Sequence, residues 1–387
     1  MQFVNDESNI NSNARQVLKC VLETEPTTRT AIAKKLSLSK PTVSAAISRL
    51  IEEGWVTETG SGEASASGGR KPVNLKFNPK KAHCIGIDIG GTKVAVGITD
   101  LKGELESYRT FTTQQHLDRD FFHAMRKITD EMMAELSLDK EEILGVGVGV
   151  PGVTNVQTGI VEEAPALQWR NYPVREKLEE VFPYPVYVDN DVNIGVLGEH
   201  WTGRGKGKQN LIYIAIGTGI GSGIILNGQL FRGSQYSAGE IGYMVTDRSL
   251  AKSYQPSYEG YGFLESVAGG TSVGRALSER LGREVTAAEA FDRYRSGDRD
   301  ATETIRHALE HLGVAVANYV SLLNPEMIIL GGGLSQSFDV IRPIVSDNVK
   351  RYAPKECEIV RTAFGQEAGV IGAVALLLKE HEGLYNI

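Results

Sequence analysis

Two segments of this chain follow one plan, and no other feature constrains its fold as much. "HCIGIDIGGTKVAVGITD" reads as an apolar strand ending in Asp88, a turn at Gly90 and Gly91 with Thr92 and Lys93, and a second strand. "NLIYIAIGTGIGSGIILNGQL" repeats the plan: strand, Gly217-Thr218-Gly219 with Gly221, strand, then an Asn227-Gly228 hairpin turn. Glycines in such turns let backbone N–H groups close around phosphate oxygens, and hydroxyls supply further donors. Either loop alone is a weak signal, because glycine hairpins are common structural turns. "MIILGGGLSQS" adds a third glycine-rich turn, Gly331, Gly332 and Gly333, after a strand. An α/β fold is expected, and a doubly wound nucleotide-binding sheet is one alternative, although no GxGxxG opens a helix.

At 387 residues the chain has room for two or three domains, and 41% hydrophobic with 23% charged residues is ordinary globular composition. Apolar runs such as "VIGAVALLL" fall short of the ~20 residues of a membrane span, and "MQFVNDESNINSN" has no signal-peptide core. A cytoplasmic protein with no membrane partner is therefore expected. Cys20, Cys84 and Cys357 lie far apart without CxxC spacing, so neither a disulfide framework nor a cysteine metal site is encoded.

Charge divides the chain. Residues 1–80 carry 11 Lys and Arg against 8 Asp and Glu, leaving 30 against 40 for the remainder. From Arg29 to Arg49 there are five basic residues and no acid. A basic head on an acidic body points to a polyanion at the head alone. In the head, "NARQVLKCVLETEP" sets Ala14, Leu18, Val21 and Leu22 on one helical face, and Pro26 ends it. "TTRTAIAKKLSLS" reads as a short second helix with a threonine cap. In "SKPTVSAAISRLIEEGW", Ser39 is a good N-cap, Pro41 suits the first turn, and Val43, Ile47, Leu50 and Ile51 form a stripe. Opposite the stripe lie Thr42, Ser44, Ala45, Ser48 and Arg49, a face of small residues with basic ends that can enter a major groove. Two strand-like runs then flank a Gly/Ser loop ending in Arg70 and Lys71. The set resembles a winged helix-turn-helix, with Arg29, Lys40 and Lys71 on phosphates and Arg70 in a minor groove. A three-helix protein-interaction module with a flexible linker is the other reading of the same residues.

The paired glycine loops resemble the two-lobed actin and hexokinase (ribonuclease H-like) architecture. With "GVGVGVPGVTN" and "GIVEEAPALQW" they complete a resemblance over essentially the whole chain to the ROK family of sugar kinases and transcriptional repressors. The winged head points to the repressor branch, with xylose-repressor-type proteins the nearest group. The implied domains are 1–78 for the head and wing, 79–194 for the first lobe and 195–387 for the second. The run from Asp300 to Leu323 and the final "EAGVIGAVALLLKEH" are expected on the second sheet, with a return of the last helix to the first lobe as the alternative. The resemblance places Asp88 to Lys93 and Gly217 to Gly221 on nucleotide phosphates from opposite lobes, and Gly331 to Gly333 near the adenosine. In "YVDNDVNIGVLGEHW" it makes Asp191 the general base of a kinase or, with Asn190, a sugar ligand, and Glu240 and Glu265 sugar ligands from the second lobe. Carboxylates suit sugars in any case, since each oxygen accepts from neighbouring hydroxyls. Asp189 is expected as a cap or turn residue.

The chain departs from the family at two places. Most ROK proteins carry a histidine after "GEIG" and a cluster CxCGxxGCxE that binds structural zinc. Here Tyr243 stands at the histidine position, as a packed aromatic or a sugar contact, and "TDRSLAKSYQPSYEGYGFLES" has no cysteine or histidine. No structural zinc is expected. Tyr236, Tyr254, Tyr258, Tyr261 and Phe263 supply aromatic mass instead. Ala166 replaces an asparagine that contacts a sugar hydroxyl in family kinases. Three functions follow: a repressor that leaves operator DNA on binding a small sugar, as a homodimer or tetramer; a Mg-ATP-dependent sugar kinase with a regulatory head; and a protein-binding module. The first is the primary expectation, with no cofactor required and Mg-ATP admitted by the phosphate loops.

Overall fold

The computed structural model describes residues 9–61, 73–113, 121–252 and 262–381. The head holds α1 (Asn9–Thr24), α2 (Arg29–Leu36) and α3 (Lys40–Glu52), then strands β1 (Val56–Ser61) and β2 (Val73–Phe77). Local chemistry fixes these ends. Thr28 Oγ1 accepts the Ala31 N–H at 3.2 Å, Ser39 Oγ accepts the Thr42 N–H at 3.2 Å, and Ser37 ends α2 in the left-handed region. Val17, Val21, Ile32, Val43 and Ile47 are fully buried between the three helices. β1 and β2 pair antiparallel, and Thr27 and Leu75 exchange both backbone hydrogen bonds, which sews the wing to the helices. Arg70 and Lys71 lie outside the described residues.

The first lobe comprises β3 (His83–Ile89), β4 (Lys93–Asp100), β5 (Leu105–Thr112), α4 (Phe121–Glu135), β6 (Ile143–Val150), β7 (Val153–Asn155), β8 (Ile160–Ala164), β9 (Trp169–Tyr172), α5 (Val174–Val181), β10 (Val186–Asn190) and α6 (Asp191–Trp201). The second begins with β11 (Leu211–Ile216), β12 (Ile220–Leu226) and β13 (Gln229–Leu230). It continues through α7 (Arg248–Ala251), α8 (Phe263–Ala268), α9 (Gly270–Leu281), α10 (Ala287–Arg295) and α11 (Arg299–Leu323), then β14 (Met327–Gly331), α12 (Phe338–Tyr352), β15 (Glu358–Arg361) and α13 (Ala368–Glu380). Each lobe carries a five-stranded sheet, β5-β4-β3-β6-β10 and β13-β12-β11-β14-β15. In both, three antiparallel strands precede two parallel ones, so the sequence repeat is a structural repeat. Asn227 and Gly228 both have positive φ, as the tight β12–β13 hairpin requires.

The division at 194/195 falls inside α6, a continuous helix that packs on β11 and β12 as well as on β6 and β10. Of the two placements expected for the last helix, it takes the return to the first lobe and not the second sheet. α13 packs on β3 and β6 and on α6, because Gly86 and Gly147 let its backbone approach; a Cβ at Gly147 would stand 1.8 Å from the Ala373 carbonyl oxygen. α11 shares a core with Ile212, Ile214 and Ile328 of the second sheet. Head and body also share one core, from Val17 and Trp55 to Leu101 and Trp201. The ion pair of Lys102 with Glu25 reinforces the join, and just beyond it Glu106 pairs with Lys80 at 3.1 Å and lies 3.0 Å from His83 Nε2. Among the described residues no helix is long and apolar enough to cross a membrane.

Candidate functional site

Strand β10 delivers the sequence Asp189-Asn190-Asp191 to the cleft between the lobes, and each residue takes a different task. Asn190 is the N-cap of α6: its Oδ1 accepts the N–H groups of Val192 at 2.9 Å and Asn193 at 3.1 Å, and its Nδ2 donates to the Gly152 carbonyl at 3.0 Å. That leaves at most one amide hydrogen for a ligand, so the expected sugar contact from Asn190 is reduced to a single donor. Asp189 is neither cap nor turn residue. It is 1% exposed, and its Oδ2 accepts from Arg232 Nε at 2.8 Å. Its Oδ1 accepts from the Asn190 N–H at 2.7 Å and Asn193 Nδ2 at 3.0 Å. Asp191, first residue of the helix, remains partly open to the cleft.

Four carboxylates form a row from one lobe to the other. Burial pushes Asp191 up to about 7, with the Asp88 and Glu240 carboxylates adding repulsion. Asp88, at the end of β3, is raised to about 6 by burial, which Lys93 offsets in part. Glu240 is raised by desolvation and by Glu265, although it keeps an open side toward the cleft mouth. Glu265, in α8, is also raised by desolvation, while the Ile220 N–H donates to its Oε2 at 2.7 Å. Tyr243 closes the short turn Ile241–Tyr243 after Glu240 and is 54% exposed. Ala166 touches the first hairpin: a Cβ at Gly91 would come within 2.8 Å of its Cβ.

The two glycine hairpins differ in what they face. In the first, the Gly90 N–H donates to the Lys93 carbonyl at 2.9 Å, Thr113 Oγ1 donates to the Gly90 carbonyl at 2.7 Å, and the Thr113 N–H donates to the Thr92 carbonyl at 2.9 Å. In the second, Gly219 backs onto Glu265, where a Cβ would lie 2.1 Å from Oε2. Gly217 and Thr218 line a cavity of about 810 Å³ together with Gly333, Thr271, Arg275 and Thr286. Three of the glycines expected near phosphate or adenosine are also close packing positions. Gly221 sits against Val192, Gly331 against the Tyr213 hydroxyl, and Gly332, at φ +75°, against the Ile216 backbone. Thr271 and Arg275 were not anticipated, since "GGTSVGR" at the start of α9 resembles an ordinary helix entry. Arg232 was also missed, because nothing in its local sequence marks a partner 43 residues away.

On the head, Lys40, Ala45 and Ser48 are exposed on α3, and Thr42, Ser44 and Arg49 are half-buried. Thr42 Oγ1 lies 2.7 Å from the capping Ser39 Oγ. Arg29 pairs with Glu58 at 2.9 Å and Arg49 with Glu53 at 2.7 Å.

The ROK family profile matches residues 84–380, and a winged helix-turn-helix DNA-binding profile matches residues 10–57. The xylose repressor of Caldicellulosiruptor bescii is 30% identical over 95% of this chain and 96% of its own length. The xylose repressor of Bacillus subtilis is 28% identical over 95% and 94%. A glucokinase of Halalkalibacterium halodurans is 32% identical over 77% of this chain and 95% of its own. Among solved structures, a ROK family transcriptional regulator, homolog of the E. coli MLC protein, superposes with TM-score 0.80 at 23% identity, covering 96% of both chains. A ROK family glucokinase from Streptomyces griseus, in complex with glucose and AMPPNP, gives 0.65 at 26% identity over 76% and 99%. The kinases thus match the body alone, the repressors match head and body, and the chain belongs to the ROK family with an N-terminal winged helix-turn-helix.

Proposed function

We propose that the protein is a sugar-responsive DNA-binding repressor that leaves its operator when a small sugar enters the cleft, with D-xylose the first candidate. The observation that carries this reading is the union of an exposed α3 face with a cleft row of four carboxylates in one chain that spans the xylose repressors end to end. Asp191, Glu240 and Glu265 accept from sugar hydroxyls, and the remaining Asn190 amide hydrogen and Tyr243 are secondary contacts. Ala166, packed beside Gly91, offers no polar group where the family resemblance implies an asparagine. Lys40, Thr42, Ser44, Ala45, Ser48 and Arg49 form the face presented to the major groove, and Arg29, Arg70 and Lys71 serve the backbone and minor groove. A homodimer presenting two heads matches a pseudo-palindromic operator. Release requires that the sugar favour the arrangement of the chain that binds DNA less well. The zinc-binding cysteines of the family have no counterpart in this sequence, and no step depends on a metal. Selection of an operator from random DNA, followed by titration of the complex with D-xylose and other pentoses and hexoses, tests the reading. An operator complex indifferent to every sugar overturns it.

Kinase activity is the second reading, favoured by the cavity beside Gly217 and Thr218 and by the glucokinase similarity over the body. In that reading Thr218, Thr271 and Arg275, which line the cavity, would contact Mg-ATP, and Asp191 would serve as the general base that accepts a hydroxyl proton. ADP release that depends on sugar and vanishes in Asp191→Asn would establish it.

A further inference from the structure

One buried ion pair joins the two sides of the cleft beneath the carboxylate row. Arg232 follows β13 in the second lobe, and its guanidinium reaches Asp189 at the end of β10 in the first, with Nε 2.8 Å and Nη2 2.7 Å from Oδ2. Nη2 also lies 3.5 Å from Glu380 of α13. Asp189 spends its other oxygen on the Asn190 N–H and the Asn193 side chain, which flank Asp191 on either side. In the other direction, the Arg232 carbonyl accepts the Ala238 N–H at 3.0 Å, closing the short loop that delivers Glu240. The next residue, Gly239, is held on β12: its carbonyl accepts the Ser222 N–H at 3.0 Å and Ser222 Oγ at 2.7 Å. The pair thus links the segment bearing Asp191 to the loop that leads to Glu240.

We infer that Arg232 is a positioning residue for the sugar site, acting through Asp189 to hold Asp191 and Glu240 in register across the two lobes. This rests on the reading of Asp191 and Glu240 as sugar ligands. Buried ion pairs contribute little net stability compared with apolar groups of the same shape, but they fix geometry, and a ligand held by carboxylates from two lobes depends on that geometry. The pair also sits at the base of the cleft, against α13 and the start of α6.

The test compares wild type, Asp191→Asn, the charge-balanced double variant Asp189→Asn with Arg232→Gln, and Arg232→Lys. Each is titrated with D-xylose, D-glucose, L-arabinose and N-acetyl-D-glucosamine, with binding read by calorimetry and folding by thermal melting. The expected result is binding of one sugar by wild type, a Kd raised about thirtyfold in Asp191→Asn, and a Kd raised on the order of tenfold in a double variant that still melts cooperatively. Arg232→Lys should recover part of the loss, which a purely structural role would not produce. If the double variant does not fold, Arg232→Lys decides alone, with a Kd raised severalfold expected. Wild-type affinity in the folded double variant, or in Arg232→Lys where that variant decides, overturns the positioning role and leaves the sugar site standing. Wild-type affinity in Asp191→Asn, or no binding of any of the four sugars by wild type, overturns the sugar site and this inference with it.

Discussion

The winged head and the two-lobed body handle charge in opposite ways. In the head, Arg29 and Arg49 lean on Glu58 and Glu53 at the surface, where each partner is between 31% and 46% exposed. Such pairs are worth about 0–1 kcal/mol and are screened by salt, so a phosphate can replace the acid at little cost. In the body, Asp88, Asp191, Glu240 and Glu265 face one cleft, where burial raises all four and neighbouring carboxylates raise Asp191 and Glu240 further. A surface of loosely held cations is suited to exchanging partners with a polyanion. A pocket of strained acceptors is suited to a neutral ligand whose hydroxyls replace lost water.

Salt gives the widest separation between the two. Operator affinity should fall on the order of 10³-fold between about 50 and 200 mM salt as counterions compete for the phosphates, while sugar affinity changes less than about twofold. Equal salt dependence in anisotropy and calorimetry would erase the contrast. Next in size, Asp191→Asn should weaken sugar binding by about 2 kcal/mol, the value of a hydrogen bond to a charged acceptor, and leave sugar-free operator binding unchanged.

A pH titration should have a smaller effect, about tenfold. Sugar hydroxyls donate to ionised Asp191, so affinity rises from about pH 5.5 to pH 8 as the group near 7 and Asp88 near 6 lose their protons, and binding releases protons. The stability of the empty protein moves the other way. Between an unfolded value of about 4 and the folded value, the native state holds more protons, so its melting temperature falls as pH rises through this window. Asp191→Asn should flatten both trends. The smallest effect belongs to Lys102→Ala, which removes a partly exposed pair between body and head. It should change sugar-free operator affinity by under about 1 kcal/mol and shift the sugar concentration for half-release by a few-fold.

The same contrast explains what could be read in advance. The head's three helices were legible because caps and stripes are local: Ser39 caps α3, and Val43, Ile47 and Leu50 are buried as the spacing requires. The twin hairpins were legible because turn chemistry is local as well. The cap of α6 was misplaced by one residue, since the sequence Asp-Asn-Asp offers three acceptable caps; the choice is made by β10, whose pairing with β6 runs on to Asn190 and Val150. The apolar run of α13 announced burial, but not against which sheet. That is decided by Gly86 and Gly147, residues more than 200 positions upstream. Arg232 and Asp189 meet only because two lobes close on each other, and no window of sequence contains both.

Strand β3 begins at His83, beside Glu106 and Lys80 at the join to the head, and ends next to Asp88 in the cleft. β3 is hydrogen-bonded along its length to β4 on one side and β6 on the other, so it spans the roughly 20 Å from cleft to join as part of one sheet. Under the proposed sensing role, a change at Asp88 would reach the head through that whole sheet and not through a single strand.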